Sequence, residues 1–270
     1  MSEIIKVEQA EMLQAINKSE IDVQISTAKM YPRDVNKALD TMVAIATIDE
    51  ETAGDCHYAL KRDGNIIEGL SVRMAEIIAD CWGNLRVQTR IVGNDGKTIT
   101  AQGVCHDLET NVAVLVEVKR RITTKTGATF SEDMQVMVGN AASAIAFRNA
   151  VLKVVPKAVT KNVCNLVYQK AKGKAIEVPV AWQKCRGTFA KVGVDEPMLL
   201  WYLQISNAEE LTSEHISLLR GTYNSLHEGT TTVMDCFINP YREAQKSKEV
   251  SQEHKNNKDF IAQAMAESKA

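Results

Sequence analysis

Apolar and polar residues change period several times along this chain, and the changes mark its elements. Residues 2–18 place Ile4, Ile5, Met12, Leu13 and Ile16 at helical spacing, which predicts a short amphipathic helix. Ile21 to Ile25 alternate strictly, a strand signal. Tyr31-Pro32-Arg33 opens a second helix to about Ile48, with Pro32 in its first turn and Val35, Leu39, Met42, Val43 and Ala46 as one stripe. Cys56 to Arg62 and Ile66-Ile67-Glu68 flank Asp63-Gly64-Asn65, which reads as a hairpin ending at Gly69. Ser71 caps a helix from Val72 to Cys81 that stops at Gly83-Asn84.

The period then falls from 3.6 to 2. Leu85–Val92, Thr98–His106 and Val112–Ile122, separated by turn-rich connections, predict three antiparallel strands in a meander. Ser131 with Glu132 and Asp133 marks a helix start, and the helix, Met134 to Val155, is rich in Gly139, Ala141, Ala142, Ser143, Ala144, Ala146 and Ala150 before Pro156 ends it. Small side chains there allow close packing on a sheet or on a neighbouring subunit. Further on, Asp195-Glu196-Pro197 starts a short helix, Asn207–Glu210 resembles a capping box, and Ser213–Leu226 is amphipathic. The expected fold is α+β: an antiparallel β-meander packed on a long Ala-rich helix, with a small helical C-terminal domain and a mobile tail. The expected boundaries are a core over 1–170, a Lys/Gly/Pro-punctuated linker over 171–189, a helical domain over 190–240 and a polar tail over 241–270.

Composition narrows the function. In 270 residues no apolar run approaches the roughly 20 needed to cross a bilayer. The N-terminus lacks a basic stretch leading into a hydrophobic one, so the expectation is a cytoplasmic protein of a bacterial or phage-infected cell. Six dispersed cysteines read as free thiols. The dipeptides Cys56-His57 and Cys105-His106 make poor zinc sites, because neighbours on a strand face opposite ways. The net charge of -2 conceals an acidic first 60 residues and a basic segment, 111–190, with 13 Lys or Arg against 4 Asp or Glu. Such a segment attracts polyanions, and the expectation is a cationic track for unpaired polynucleotide.

Catalytic motifs are scarce. Gly96-Lys97-Thr98 lacks the earlier glycine of a phosphate loop, since Ile91 stands there, and neither GxSxG nor HExxH occurs. Asp107 followed by Glu117-Val118-Lys119 matches a loose magnesium-nuclease pattern, with Glu117 and Lys119 on one strand face. This is the enzymatic alternative; a scaffold protein whose basic face binds its neighbours is the other.

Ile67-Glu68-Gly69, a helix ending in Trp82-Gly83-Asn84, the meander, and an alanine-rich helix with Arg148, Asn149, Ala150 and Lys153 together resemble phage single-strand annealing proteins of the RecT, Redβ and ERF kind. Their core is shared with the eukaryotic radiation-repair annealing mediator. The resemblance covers about residues 20–165. It implies ATP-independent annealing of complementary single-stranded DNA by a homo-oligomer, ring or filament, with no cofactor and no catalytic residue. It also implies contact between residues 190–240 and a single-strand binding protein or an exonuclease. Arg148 and Lys153 match the family's basic positions. From the residues themselves, Lys119, Arg120, Arg121 and Lys125 are the leading strand contacts, with Arg73, Arg86, Arg90 and Lys157 behind them. Trp82 reads as core rather than as a base-stacking platform. With aromatics at 5%, holding the backbone must dominate.

Overall fold

The computed structural model describes residues 2–62, 65–124, 126–172, 178–247 and 249. The chain begins with a long helix, α1 (Ser2–Met30). The strand expected at 21–25 is therefore helical. Its alternation is also a helical repeat, because Ile21, Ile25 and Ala28 fall at i, i+4 and i+7 and are the side chains turned inward. Pro32 precedes α2 (Val35–Ala46) instead of lying in it; Asp34 caps the helix, accepting from the amides of Asn36 and Lys37. Ala38, Met42 and Ala46 form its buried stripe, and Val35 faces solvent. A six-residue helix, α3 (Glu50–Asp55), capped by Asp49, was not anticipated.

β1 (His57–Arg62) and β2 (Asn65–Leu70) pair as an antiparallel hairpin, with Leu60 opposite Ile67. Then α4 (Val72–Trp82) runs from its Ser71 cap to Gly83, whose φ of 67° favours glycine. The meander follows as β3 (Leu85–Asn94), β4 (Thr98–Asp107) and β5 (Val112–Arg121), in the order β3-β4-β5. Here the alternating pattern and the turn residues determine the register locally, so the expected strands and observed ones nearly coincide.

α5 (Glu132–Val154), capped by Ser131, crosses the inner face of this sheet. Gly139, Ala142, Ala146 and Ala150 are its buried small residues. They let the helix approach so closely that a Cβ at Gly103 of β4 would overlap the Ala146 carbonyl. Behind α5, α4 and α2 pack with α6 (Lys157–Lys172) around Met42, Met74, Ile78, Trp82, Val151, Val163 and Val167.

Residues 178–189, expected within a linker, belong to a helix, α7 (Val178–Ala190). Pro179 is compatible with its first turn, where no amide donor is needed. Trp182, Cys185 and Phe189 of α7 join a second core with α8 (Glu196–Leu203), α9 (Ser213–His227) and the helical residues 233–247, which include a π turn at Met234–Ile238. α9 lies on β1, Gly221 against the Ala59 backbone. Most of the expected polar tail, from 250 onward, lies outside the described residues. Among the described residues no helix is long and apolar enough to cross a membrane.

Candidate nucleic-acid interface

Strand pairing sorts the basic residues by face. Across the meander, Arg86 stands opposite His106, Arg90 opposite Gln102 and Gln102 opposite Glu117, while Thr100 pairs with Lys119 and Thr98 with Arg121. These residues share the outer face of the sheet, because alternate residues on a strand point the same way and α5 covers the other side. Arg86, Arg90, Lys119 and Arg121 thus project from one surface, among Gln88, Thr98, Thr100, Gln102 and Val104. Two hydrogen bonds run from Arg90, Nε at 2.9 Å and Nη2 at 2.6 Å, to Gln102 Oε1; the Gln102 amide donates in turn to Glu117 Oε1 at 3.5 Å. The single carboxylate on this face therefore meets Arg90 only through an amide. No Phe, Tyr or Trp occurs in β3, β4 or β5, so the face offers charge and hydrogen bonds without a stacking platform.

α1 passes over one side of this face. A groove of about 600 Å³ separates them, lined by Asn17 and Ile21 above and by Arg86, Gln88, Thr89, Arg90, Gln102 and Val104 below. Asn17, Ile21, Gln88 and Gln102 were not anticipated; the strand alternation that puts residues 86, 88 and 90 on one face was the available signal.

The remaining expected contacts lie elsewhere. Arg120, between two outward cations, points inward with Val114, Val116 and Val118, and donates to the carbonyls of Gly229 and, at 3.5 Å, Thr230. Burial pushes its pKa down. Arg148 is buried as well. Its Nη1 pairs with Glu228 at 3.1 Å, and its guanidinium lies 4.8 Å from the Tyr58 ring centroid. Both arginines are spent inside the protein, fastening residues 228–230 to the core. Lys153 and Lys157 are exposed in the helical layer behind the sheet. Arg73, exposed on α4, pairs with Glu76 at 2.7 Å. Lys125 lies outside the described residues. The described cations of 111–190 are accordingly divided between the outer sheet face, helices α5 and α6 and the interior, and two more, Lys184 and Arg186, pair with Glu51 and Glu196. Among the described residues one continuous track does not result, because alternation along β5 and long-range carboxylate partners separate residues adjacent in sequence.

The nuclease constellation is not brought together. Glu117 and Lys119 share the outer face, but Asp107 is buried on the inner one, roughly 16 Å along the sheet from the Gln102–Glu117 row at about 3.3 Å per residue. Arg33 grips Asp107 with two 2.7 Å hydrogen bonds and also donates to Glu109 at 3.0 Å. Burial pushes Asp107 upward, but bonds from Arg33 and from the amides of Thr110 and Glu109 outweigh it and hold the carboxyl below its ordinary value. That arrangement locks the end of α1 to the β4–β5 turn.

Trp82 is buried beneath Arg33, 4.6 Å from the guanidinium, as expected for a core residue. Burial pushes the Cys56 thiol up to about 12 and Cys105 to about 11, and His106 bonds Asn111. Among the described residues no group of His, Cys, Asp and Glu could hold a metal ion. Compared with known proteins, the chain matches no family model, no curated protein and no solved structure.

Proposed function

We propose that this protein binds unpaired DNA on the outer face of its meander and anneals complementary strands without ATP, in the manner of the phage annealing proteins that its sequence resembles. The observation that carries the reading is the set Arg86, Arg90, Lys119 and Arg121 on one sheet face, turned away from the core. Guanidinium and ammonium groups there neutralise phosphates, and a face without aromatic rings leaves the bases free to pair. Assembly with further copies belongs to the same proposal. It is supported by exposed Ile91 and Val92 on the unpaired edge strand β3 and by exposed Met134, Val136 and Met137 on α5. Residues 190–240 are proposed to meet a companion single-strand binding protein or exonuclease, through the open groove lined by Pro197, Trp201, Pro240 and Tyr241.

Two complementary oligonucleotides, mixed with the protein with and without magnesium and resolved on a gel, test this. Duplex formed without cleavage is expected. Four phosphate contacts predict a slope of about -3 for log affinity against log salt on single strands, falling to about -1.5 in Lys119→Ala/Arg121→Ala. Magnesium-dependent degradation, or no interaction with either strand, refutes the proposal.

A further inference from the structure

The groove beneath α1 has two unlike walls. Its floor is cationic, carrying Arg86 and Arg90, and its roof is the helix, contributing Asn17 and Ile21. At one end Arg86 Nη1 donates to Gln24 Oε1 at 2.8 Å and bridges the two. The roof is lightly attached: among the described side chains of α1, Ala28 alone is fully buried. Asn17, Ile21, Gln24 and Ala28 recur at i, i+4, i+7 and i+11, one stripe of the helix. Among the acids of α1 whose side chains are described, Glu11, Glu20 and Asp22, none lies on that stripe. A carboxylate at position 21 or 24 would pair with the arginines below and neutralise them. The side chains actually there are uncharged, so the guanidiniums keep their attraction for an anion entering the groove.

We propose that α1 is a selectivity wall, which admits one unpaired sugar–phosphate backbone between itself and the sheet and holds a duplex away from Arg86 and Arg90. A single strand is flexible enough to follow a groove that the Arg86–Gln24 side-chain bridge narrows. A double helix is stiff over about 150 base pairs and presents two backbones on a rod, so it meets the helix before it reaches the floor. This inference rests on the outer sheet face being the strand-binding surface.

Fluorescence anisotropy of the full-length chain with a dye-labelled unpaired oligonucleotide, and with the same sequence as a duplex, tests it. Ile21→Glu places a carboxylate beside the path and is expected to weaken unpaired-strand binding by about tenfold or more. Asn17→Glu, on the same wall, repeats the perturbation without touching the packing of Ile21. Val23→Glu adds the same charge on the opposite side of α1, where Val23 is 62% exposed, and is expected to change affinity by less than about twofold. Gln24→Ala releases the bridge and is expected to raise duplex affinity several-fold relative to the single strand. Equal effects of the charges at 17, 21 and 23, or an unchanged strand-to-duplex ratio in Gln24→Ala, overturn the wall. If Arg90→Ala weakens strand binding while Ile21→Glu and Asn17→Glu do not, the failure is confined to α1. If Arg90→Ala also leaves binding intact, the sheet face is not the site and both readings fall.

Discussion

Replacing Glu228 by alanine tests the assignment of Arg148 to the interior. The Glu228 carboxylate accepts from the Val72 amide at 2.6 Å and from Arg148 Nη1 at 3.1 Å, with the two side chains only 10% and 8% exposed. Burial pushes the Glu228 carboxyl above its ordinary value, against the pull of the Val72 amide and of Arg148. Its removal leaves a guanidinium facing Tyr58 with no anion, and leaves the first turn of α4 without an acceptor. Removing one member of a buried pair costs about 3–5 kcal/mol, a large part of a total stability of about 5–15 kcal/mol. Arg148→Met removes the stranded charge while keeping bulk against Tyr58, so Glu228→Ala/Arg148→Met should be more stable than Glu228→Ala alone, an unmistakable sign of coupling. Urea unfolding followed by circular dichroism measures all three variants, and strand binding of those that remain folded gives the salt slope. A Glu228→Ala midpoint within about 1 kcal/mol of the parent refutes the reasoning. So does an Arg148→Met variant of unchanged stability whose salt slope falls by about one, since that places the guanidinium on a phosphate.

Two further predictions address the frame around the site. Asp107 and Glu109 are held below their ordinary values by Arg33 and its neighbours despite burial, so their stabilisation is present above the unfolded carboxylate range and is lost as pH falls through the lower folded values; Arg33→Gln should move the acid-unfolding midpoint, followed by circular dichroism, to higher pH. Gly103→Ala forces a methyl against the Ala146 carbonyl and should destabilise the sheet–α5 contact by about 1–3 kcal/mol, seen as a lower melting temperature, whereas Gly187→Ala, with open space around it, should not lower it.

The meander was legible because its determinants are local. Alternation gives the faces of β3, β4 and β5, and Ser71, Gly83 and Ser131 sit at helix ends where their own chemistry requires them. The misreadings have equally particular causes. Five residues from Ile21 to Ile25 satisfy both a strand and a helix period, and only continuation through Ala28 decides between them. Pro179 and the neighbouring lysines resemble a linker until Trp182 and Phe189 find partners on α9 and at Phe237, more than 30 residues away. Arg148 could not be placed by composition, since Glu228 lies 80 residues downstream. Arg120 could: it shares parity with Val114, Val116 and Val118, and the alternation that makes the strand also turns this arginine inward.

That parity has a consequence for how the site is built. Lys119, Arg120 and Arg121 are consecutive, yet the outer two face the proposed strand while the middle one holds the Gly229 and Thr230 carbonyls beyond α9. Arg148 holds Glu228, the residue before them, from the other side. A single strand, β5, therefore carries the cations of the outer sheet face, proposed to meet phosphates, on one surface and an anchor for the C-terminal helices on the other. Since β5 is held in register by its ladder to β4, Arg120 cannot shift outward without flipping Lys119 and Arg121 inward. The charge of the outer sheet face is in this way tied to the docking of the C-terminal helices, and a partner that pulled residues 228–230 from their seat would act on the proposed strand-binding face through the backbone of β5.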